Sequence, residues 1–471
     1  MNDGLLKRAI TRTGLAANIL KTQLTRKIIT SDKDKEKHWL NGVTDPEKIT
    51  KIRDRIKRDH GNPAILEAKP LDRPDHLILY VTGKCGAKCG FCFYGNEINQ
   101  KDPVTGEFYE LSMDVIRKIS TDLGKLNQVA FTGGDPFLRT DLAKIVQIFW
   151  MNNKPEAIHI PTNGLPVVLV KKTVTEILET IPTDLTVAMS IDAVGELYDK
   201  VRGVPGNFVK MMEMYDMLAV LKKEYDGSNK KKGTLHLVVN SVITNQTYKD
   251  APNLMKNIRE MMPLVDLNDF DFVRGDPYNS SFMLPSFNEL LDFRKLIFEN
   301  FENYYKGKLG LALKKYQYDL NLETIQKKTQ VLPCVAGETF ITISERGESY
   351  FCELREPIGN IKNNTISEIW HGERANKLRE SIHKKECHCT HGCYQPLAIL
   401  YNKGGWFKAL KYVGYMKHKL PEPDVHRVED TRAAKIEFEG QTNIGDSVPV
   451  QMPGEGGGLL WGKEAISPKS K

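Results

Sequence analysis

The amino-acid sequence predicts an α/β fold built on a parallel sheet, and two observations predict it. Apolar runs of strand length alternate with stretches of helical period from residue 76 to residue 274, giving six strands with helices between them. Alternation of this kind specifies parallel strands joined by right-handed crossovers, in a sheet either open or curled into a partial barrel. At 471 residues, with 40% hydrophobic and 27% charged residues, the chain is long enough for one large core with additions at both ends.

In chain order, residues 76–82, 128–132, 157–161, 185–191, 235–243 and 269–274 read as the six strands. Their apolar residues come in short runs of the kind that fit a buried pleated surface. Residues 112–123, 142–152, 167–181, 209–225 and 251–262 carry apolar residues at helical spacing and read as the helices between them. Residues 278–333 read as a helical insertion. A hairpin over 339–352, with Glu345-Arg-Gly347 as its turn, and a helix over 366–382 follow.

Before this domain, residues 5–29 place Leu6, Ile10, Ala17, Leu20, Leu24 and Ile28 at helical spacing. Lys7, Arg8, Arg12, Lys21, Arg26 and Lys27 take the other faces, which makes a basic amphipathic helix. The prolines at 70 and 74 mark entry to the main domain. The predicted organisation is a basic helical segment over 1–70, the α/β domain over 71–277, the insertion over 278–333 and a cysteine-bearing unit over 334–400. A basic aromatic helix over 401–437 and a disordered, Gly- and Pro-rich tail over 438–471 complete it.

Lys and Arg exceed Asp and Glu by seven, an excess compatible with anionic lipid, nucleic acid or acidic substrates and selective for none. No run approaches the roughly 18 uninterrupted apolar residues of a spanning helix, and the N-terminus shows no apolar signal core. The chain is therefore expected in the cytoplasm. In that reducing compartment its eight cysteines are expected as ligands or catalytic groups rather than disulfides.

Three of the eight lie in Cys85-Gly-Ala-Lys-Cys89-Gly-Phe-Cys92, directly after the first strand, where parallel α/β sheets put their active sites. Three thiolates fall short of the four ligands of a structural zinc site. They can instead hold three irons of a [4Fe–4S] cube and leave the fourth iron open for a substrate or cosubstrate. Zinc and a redox thiol pair are the alternative readings.

The spacing Cys-x3-Cys-x2-Cys, with Phe91 before its last cysteine, resembles the radical S-adenosylmethionine superfamily. The resemblance implies a partial (β/α)6, TIM-like barrel with a small C-terminal Fe–S extension and an N-terminal helical segment. It also implies that the open iron chelates the methionine end of S-adenosylmethionine. An electron from the cluster then releases a 5′-deoxyadenosyl radical that takes a hydrogen atom from the substrate. Thr132-Gly133-Gly134-Asp135 looks like the family segment that receives the methionine amino group, with Asp in place of Glu and so one methylene less reach. Asn163 lies in a turn common to the family. Ser190 and Asp192, followed by Asp199, Arg202-Gly203 and Gly206-x-Phe208, resemble its ribose and carboxylate pattern, and Asn240 and Asn245 are candidates for adenosine contacts. The plain reading of the aspartates and asparagines is a cap or a turn.

The other five cysteines are Cys334, Cys352, Cys387, Cys389 and Cys393. With Gly347 five residues before Cys352, they resemble the SPASM and twitch extensions, which carry auxiliary [4Fe–4S] clusters. Five cysteines cannot complete two clusters. The full family pattern implies that Cys334, Cys352 and Cys393 share one cluster, with Cys387, Cys389 or an open site as the fourth position. His388 and His391 lie among them, so zinc is a chemical alternative.

The resemblance also implies a reductant partner such as flavodoxin or ferredoxin, and it favours a peptide or protein side chain as substrate. A lipid or isoprenoid at the inner membrane face is the second candidate. Residues 406–420 combine Trp406, Phe407, Tyr412 and Tyr415 with Lys408, Lys411, Lys417 and Lys419, an interfacial composition like that of residues 5–29. Both stretches can instead pack their apolar faces on the barrel. No recognisable nucleic-acid module is present, so nucleic acid is not an expected partner. A non-catalytic metal-binding or redox-sensing module is the reading from another class.

Overall fold

His76–Thr82 forms β1, and all seven of its residues are buried. A strand buried on both faces needs neighbours on both edges as well as cover above and below, and β1 has both. On one side it pairs in parallel with β2 (Gln128–Gly133); on the other it pairs in parallel with β7 (Phe340–Ile343). The computed structural model in which these pairings are seen describes residues 73–414 except 230, 306 and 307, together with 45–47, 49, 50, 53, 54, 425 and 426. The basic helix expected over 5–29 and the tail expected over 438–471 lie outside the described residues.

Beyond β2 the sheet continues through β3 (Ala157–Thr162), β4 (Asp184–Ser190), β5 (Thr234–Ile243) and β6 (Leu267–Phe272), every neighbouring pair parallel. Beyond β7 it ends in β8 (Glu348–Tyr350) and β9 (Gly359–Asn360), both antiparallel additions. The order β6-β5-β4-β3-β2-β1-β7-β8-β9 runs in sequence across the first six strands and leaves two free edges, as an incomplete (β/α)6 barrel does. The crossovers carry α1 (Met113–Leu123), α2 (Leu142–Asn153), α3 (Val167–Thr180), α4 (Glu196–Arg202), α5 (Asn207–Glu224) and α6 (Ala251–Met261). Ser112 caps α1 by accepting from Val115 N.

Parallel strands covered on both faces read as continuous apolar runs, but β3 and β5 alternate. In β5, Leu235, Leu237, Val239, Ser241 and Ile243 are buried, while Thr234, His236, Val238, Asn240 and Val242 are half-buried. One face is sealed by helices. The other is an inner face that lines a chamber, and register places Ser190, Asn240 and Asp269 in one row across it.

The helical insertion consists of α7 (Phe287–Tyr304), opened by a Ser286–Glu289 capping box, and α8 (Lys308–Lys327). The expected hairpin over 339–352 is present as β7 and β8. Its docking on β1, which makes it part of the sheet, had no signature in local periodicity. The single helix expected over 366–382 is two: α9 (Ile366–His371) and α10 (Glu373–His383). Gly372 between them is extended, with φ −63° and ψ 164°, and it ends one helix as it caps the next. Lys118 on α1 ties this extension to the barrel by donating to Ile361 O and Asn364 O, each at 2.6 Å.

After α11 (Tyr394–Tyr401), α12 (Lys403–Gly414) carries the described part of the basic aromatic stretch. It packs on α8 and α11. Tyr412 stacks against Tyr316, 5.7 Å between ring centres, and donates to Asp319, which also receives Arg294 Nε at 2.5 Å. Much of its apolar face is thus occupied inside the protein, leaving Phe407 and Leu410 exposed. No helix among the described residues is long and apolar enough to cross a membrane.

Candidate active site and auxiliary cluster domain

The loop from Cys85 to Cys92 is held at several points. Cys85 N donates to Asn99 Oδ1 and Asn99 Nδ2 donates to Cys85 O, both at 2.9 Å. Lys88 N donates to Arg202 O, and Asn279 N to Gly90 O. Ala87 and Phe91 sink into the core, and the Phe91 ring meets Phe282 edge-on at 6.0 Å. A Cβ at Gly90 would lie 2.2 Å from the Phe282 ring, so the loop passes where only glycine fits.

Two expected site residues reach the sulfurs. Asn163 Nδ2 donates to Cys85 Sγ and Arg202 Nη1 to Cys89 Sγ, each at 3.5 Å. Arg202 is itself fixed by Asp192, whose Oδ2 lies 2.6 Å from Nη2, and its guanidinium lies over Phe91 at 5.2 Å. Asp192 Oδ1 accepts from Val242 N. Burial pushes the thiols up, Cys85 to about 12, Cys92 to about 11 and Cys89 upward despite Arg202. Without metal these thiols are neutral; a coordinated metal deprotonates them.

The donor set fits a three-thiolate [4Fe–4S] site. Arg202 Nε is buried with no hydrogen-bond partner among the described residues, a donor placed for an acceptor such as a carboxylate. No three His, Cys, Asp or Glu side chains among the described residues converge on one ion, as a zinc site with Zn–S distances near ~2.3 Å demands. Removing the Asn163 donor by Asn163→Ala is expected to lower cluster-dependent activity about 10–100-fold with iron content kept, measured as 5′-deoxyadenosine formed per cluster.

The Asp135 carboxylate is held by groups of the protein itself. Its Oδ2 accepts from Thr162 Oγ1 at 2.8 Å and Asn163 N at 2.9 Å, and its Oδ1 accepts from Phe137 N at 3.1 Å. The carboxylate is thus engaged by the protein, and burial raises it to about 6. Gly133, with φ 129°, and Gly134 bring the end of β2 against the cluster loop: a Cβ on Gly134 would lie 2.0 Å from Lys84 O. Asp135→Asn must turn an amide N–H toward one of these backbone donors, so a loss of about 1–3 kcal/mol is expected in thermal unfolding. Asp199 is also engaged, accepting from Gly206 N and Phe208 N, and Asn245 binds the 281–283 loop through both amide atoms. Ser190 and Asn240, paired across β4 and β5, keep side chains without a protein partner among the described residues.

The five later cysteines divide. A pocket open to solvent is lined by Cys334, Cys352, Cys387 and Cys389 together with Gln330, Arg355 and His388. Gln330 links two of them: its Oε1 accepts from Cys334 N, and its Nε2 reaches Cys387 O at 2.9 Å and Sγ at 3.8 Å. Cys393 is not in this lining. It starts α11, beside a polar group that the sequence reading missed because its members are far apart in the chain. Glu353 Oε1 lies 2.6 Å from His391 Nε2 and 3.6 Å from Arg274 Nη2. His391 Nδ1 accepts from Cys393 N, which leaves the proton on Nε2 to donate to Glu353. Burial lowers the His391 pKa. It would raise that of Glu353, but His391 and Arg274 outweigh it and hold the carboxyl at about 2.

The family model of the Radical SAM superfamily matches residues 79–258, and that of the SPASM iron-sulfur cluster-binding domain matches residues 334–394. The uncharacterized protein MJ0907 of Methanocaldococcus jannaschii is 23% identical over 302 residues, covering 62% of this chain and 90% of that protein. The PqqA peptide cyclase of Bradyrhizobium diazoefficiens is 24% identical over 332 residues, 66% of this chain and 77% of that one. The antilisterial bacteriocin subtilosin biosynthesis protein AlbA of Bacillus subtilis is 26% identical over 147 residues, 31% of each chain.

Proposed function

This chain belongs to the radical S-adenosylmethionine superfamily and carries a SPASM iron–sulfur domain, and from that premise we propose that it takes a hydrogen atom from a peptide or protein side chain. The observation that carries the reading is the pairing of a three-cysteine loop with a SPASM domain, an arrangement similar to proteins named for a peptide cyclase and for biosynthesis of a bacteriocin. A lipid substrate has less support. Tyr412, part of the apolar face expected to meet a membrane, is buried within the protein, and the other basic stretch lies outside the described residues.

Cys85, Cys89 and Cys92 would hold three irons of a [4Fe–4S] cluster and leave the fourth for S-adenosylmethionine. With both in place, the chemistry supplied is reductive cleavage to methionine and a 5′-deoxyadenosyl radical. The chain's own residues position and shield. Asn163 and Arg202 donate to the sulfurs, which favours the more negative, reduced form by placing N–H dipoles and positive charge beside it. Asp192 fixes Arg202, whose unpartnered Nε suits the methionine carboxylate. Ser190 and Asn240 offer neutral donors and acceptors suited to ribose and base. An external reductant of the flavodoxin or ferredoxin kind supplies the electron.

The substrate class is tested by adding a low-molecular-mass cell fraction, untreated or digested with a broad protease, to the reduced enzyme and S-adenosylmethionine. Stimulated 5′-deoxyadenosine formation that disappears on digestion supports a peptide. Stimulation that survives digestion and partitions into organic solvent supports the lipid reading instead.

A further inference from the structure

We infer that the auxiliary cluster is held by four thiolates, those of Cys334, Cys352, Cys387 and Cys389, and that Cys393 is a non-ligand thiol. This rests on the reading that the SPASM domain carries a cluster. It departs from the sequence expectation, which grouped Cys393 with Cys334 and Cys352.

Two separate observations carry it. The first is the cavity, which gathers four cysteines from three segments: the approach to β7, the end of β8, and the loop between α10 and α11. Gln330 clamps the first segment to the third through Cys334 N and Cys387 O. Ala336 N donates to Cys334 Sγ at 3.4 Å, and with Gln330 on Cys387 two of the four sulfurs already receive donors, as cluster thiolates do. Four thiolates complete a [4Fe–4S] cube.

The second observation is where Cys393 sits. The preceding residue, Gly392, lies against the β6 carboxylate Asp271, where a Cβ would approach Oδ1 to 2.3 Å. Cys393 is absent from the lining of the pocket that holds the other four cysteines. His391, anchored to Glu353 through Nε2, accepts from Cys393 N and holds the start of α11 at the barrel. Cys393 is thus an exposed residue outside the four-cysteine pocket, following a glycine packed against β6. With every corner of the auxiliary cube closed by a thiolate, that cluster has no iron open to substrate and is suited to passing electrons.

The test uses full-length protein in which Cys85, Cys89 and Cys92 are all alanine, so that any remaining iron reports the auxiliary site alone. After anaerobic reconstitution this parent is expected to hold about four irons and four sulfides per chain. Adding Cys393→Ala is expected to leave that content and the reduced-cluster EPR signal unchanged; adding Cys387→Ala or Cys389→Ala is expected to remove or convert the cluster. Mass spectrometry after alkylation of the native, iron-loaded parent is expected to find label at Cys393 only. Loss of iron on Cys393→Ala, or label at Cys387 or Cys389 with Cys393 protected, overturns the ligand set. A parent holding no iron at all overturns the cluster reading itself, a distinguishable failure.

Discussion

Replacing Cys89 by alanine is expected to reduce 5′-deoxyadenosine formation to background and to remove about four irons per chain. Each of Cys85, Cys89 and Cys92 would supply the only protein ligand to one iron, so the remaining two thiolates would leave two corners bare. The side-chain atoms that reach these sulfurs, Asn163 Nδ2 and Arg202 Nη1, are donors, and a donor cannot ligate a cation in place of a lost thiolate. Cys85→Ala and Cys92→Ala are expected to behave alike, whereas Cys393→Ala should keep both its iron and its capacity to cleave S-adenosylmethionine.

Arg202→Ala should be nearly as damaging, for a different reason. Asp192 is fully buried and its Oδ2 faces Arg202, so removing the guanidinium strands a carboxylate in the interior, at a cost of about 3–5 kcal/mol in chemical denaturation. Burial already raises the Asp192 pKa against the opposing pull of Arg202, so loss of the arginine raises it further. The sign follows: a carboxyl with a raised folded-state pKa is better tolerated when protonated, so the variant's deficit is smallest at acid pH and grows as pH rises above the unfolded value near ~4. The double variant Arg202→Met with Asp192→Asn should recover most of the stability without recovering cleavage, because the donor to Cys89 remains absent. Full recovery of both would reduce Arg202 to a structural part.

The barrel was legible because each of its strands announces itself locally. The six strand segments and the helices between them lie within a few residues of their predicted bounds; only α4, seven residues long, escaped the periodicity. The cluster loop was legible because three cysteines lie within eight residues. What was not legible depends on distance in the chain. Pairing of β7 with β1 joins residues more than 250 positions apart, and the Arg274–Glu353–His391 group joins three segments. Nor could sequence show that the Asp135 carboxylate turns back to Thr162 and Asn163, since the same Gly-Gly-Asp pattern serves a turn or a ligand equally well.

Cleavage is tested by reducing the reconstituted wild-type protein anaerobically, adding S-adenosylmethionine and measuring both products. Methionine and 5′-deoxyadenosine are expected in equal amounts, dependent on reductant. Protein with a full complement of iron and sulfide that forms neither would contradict it.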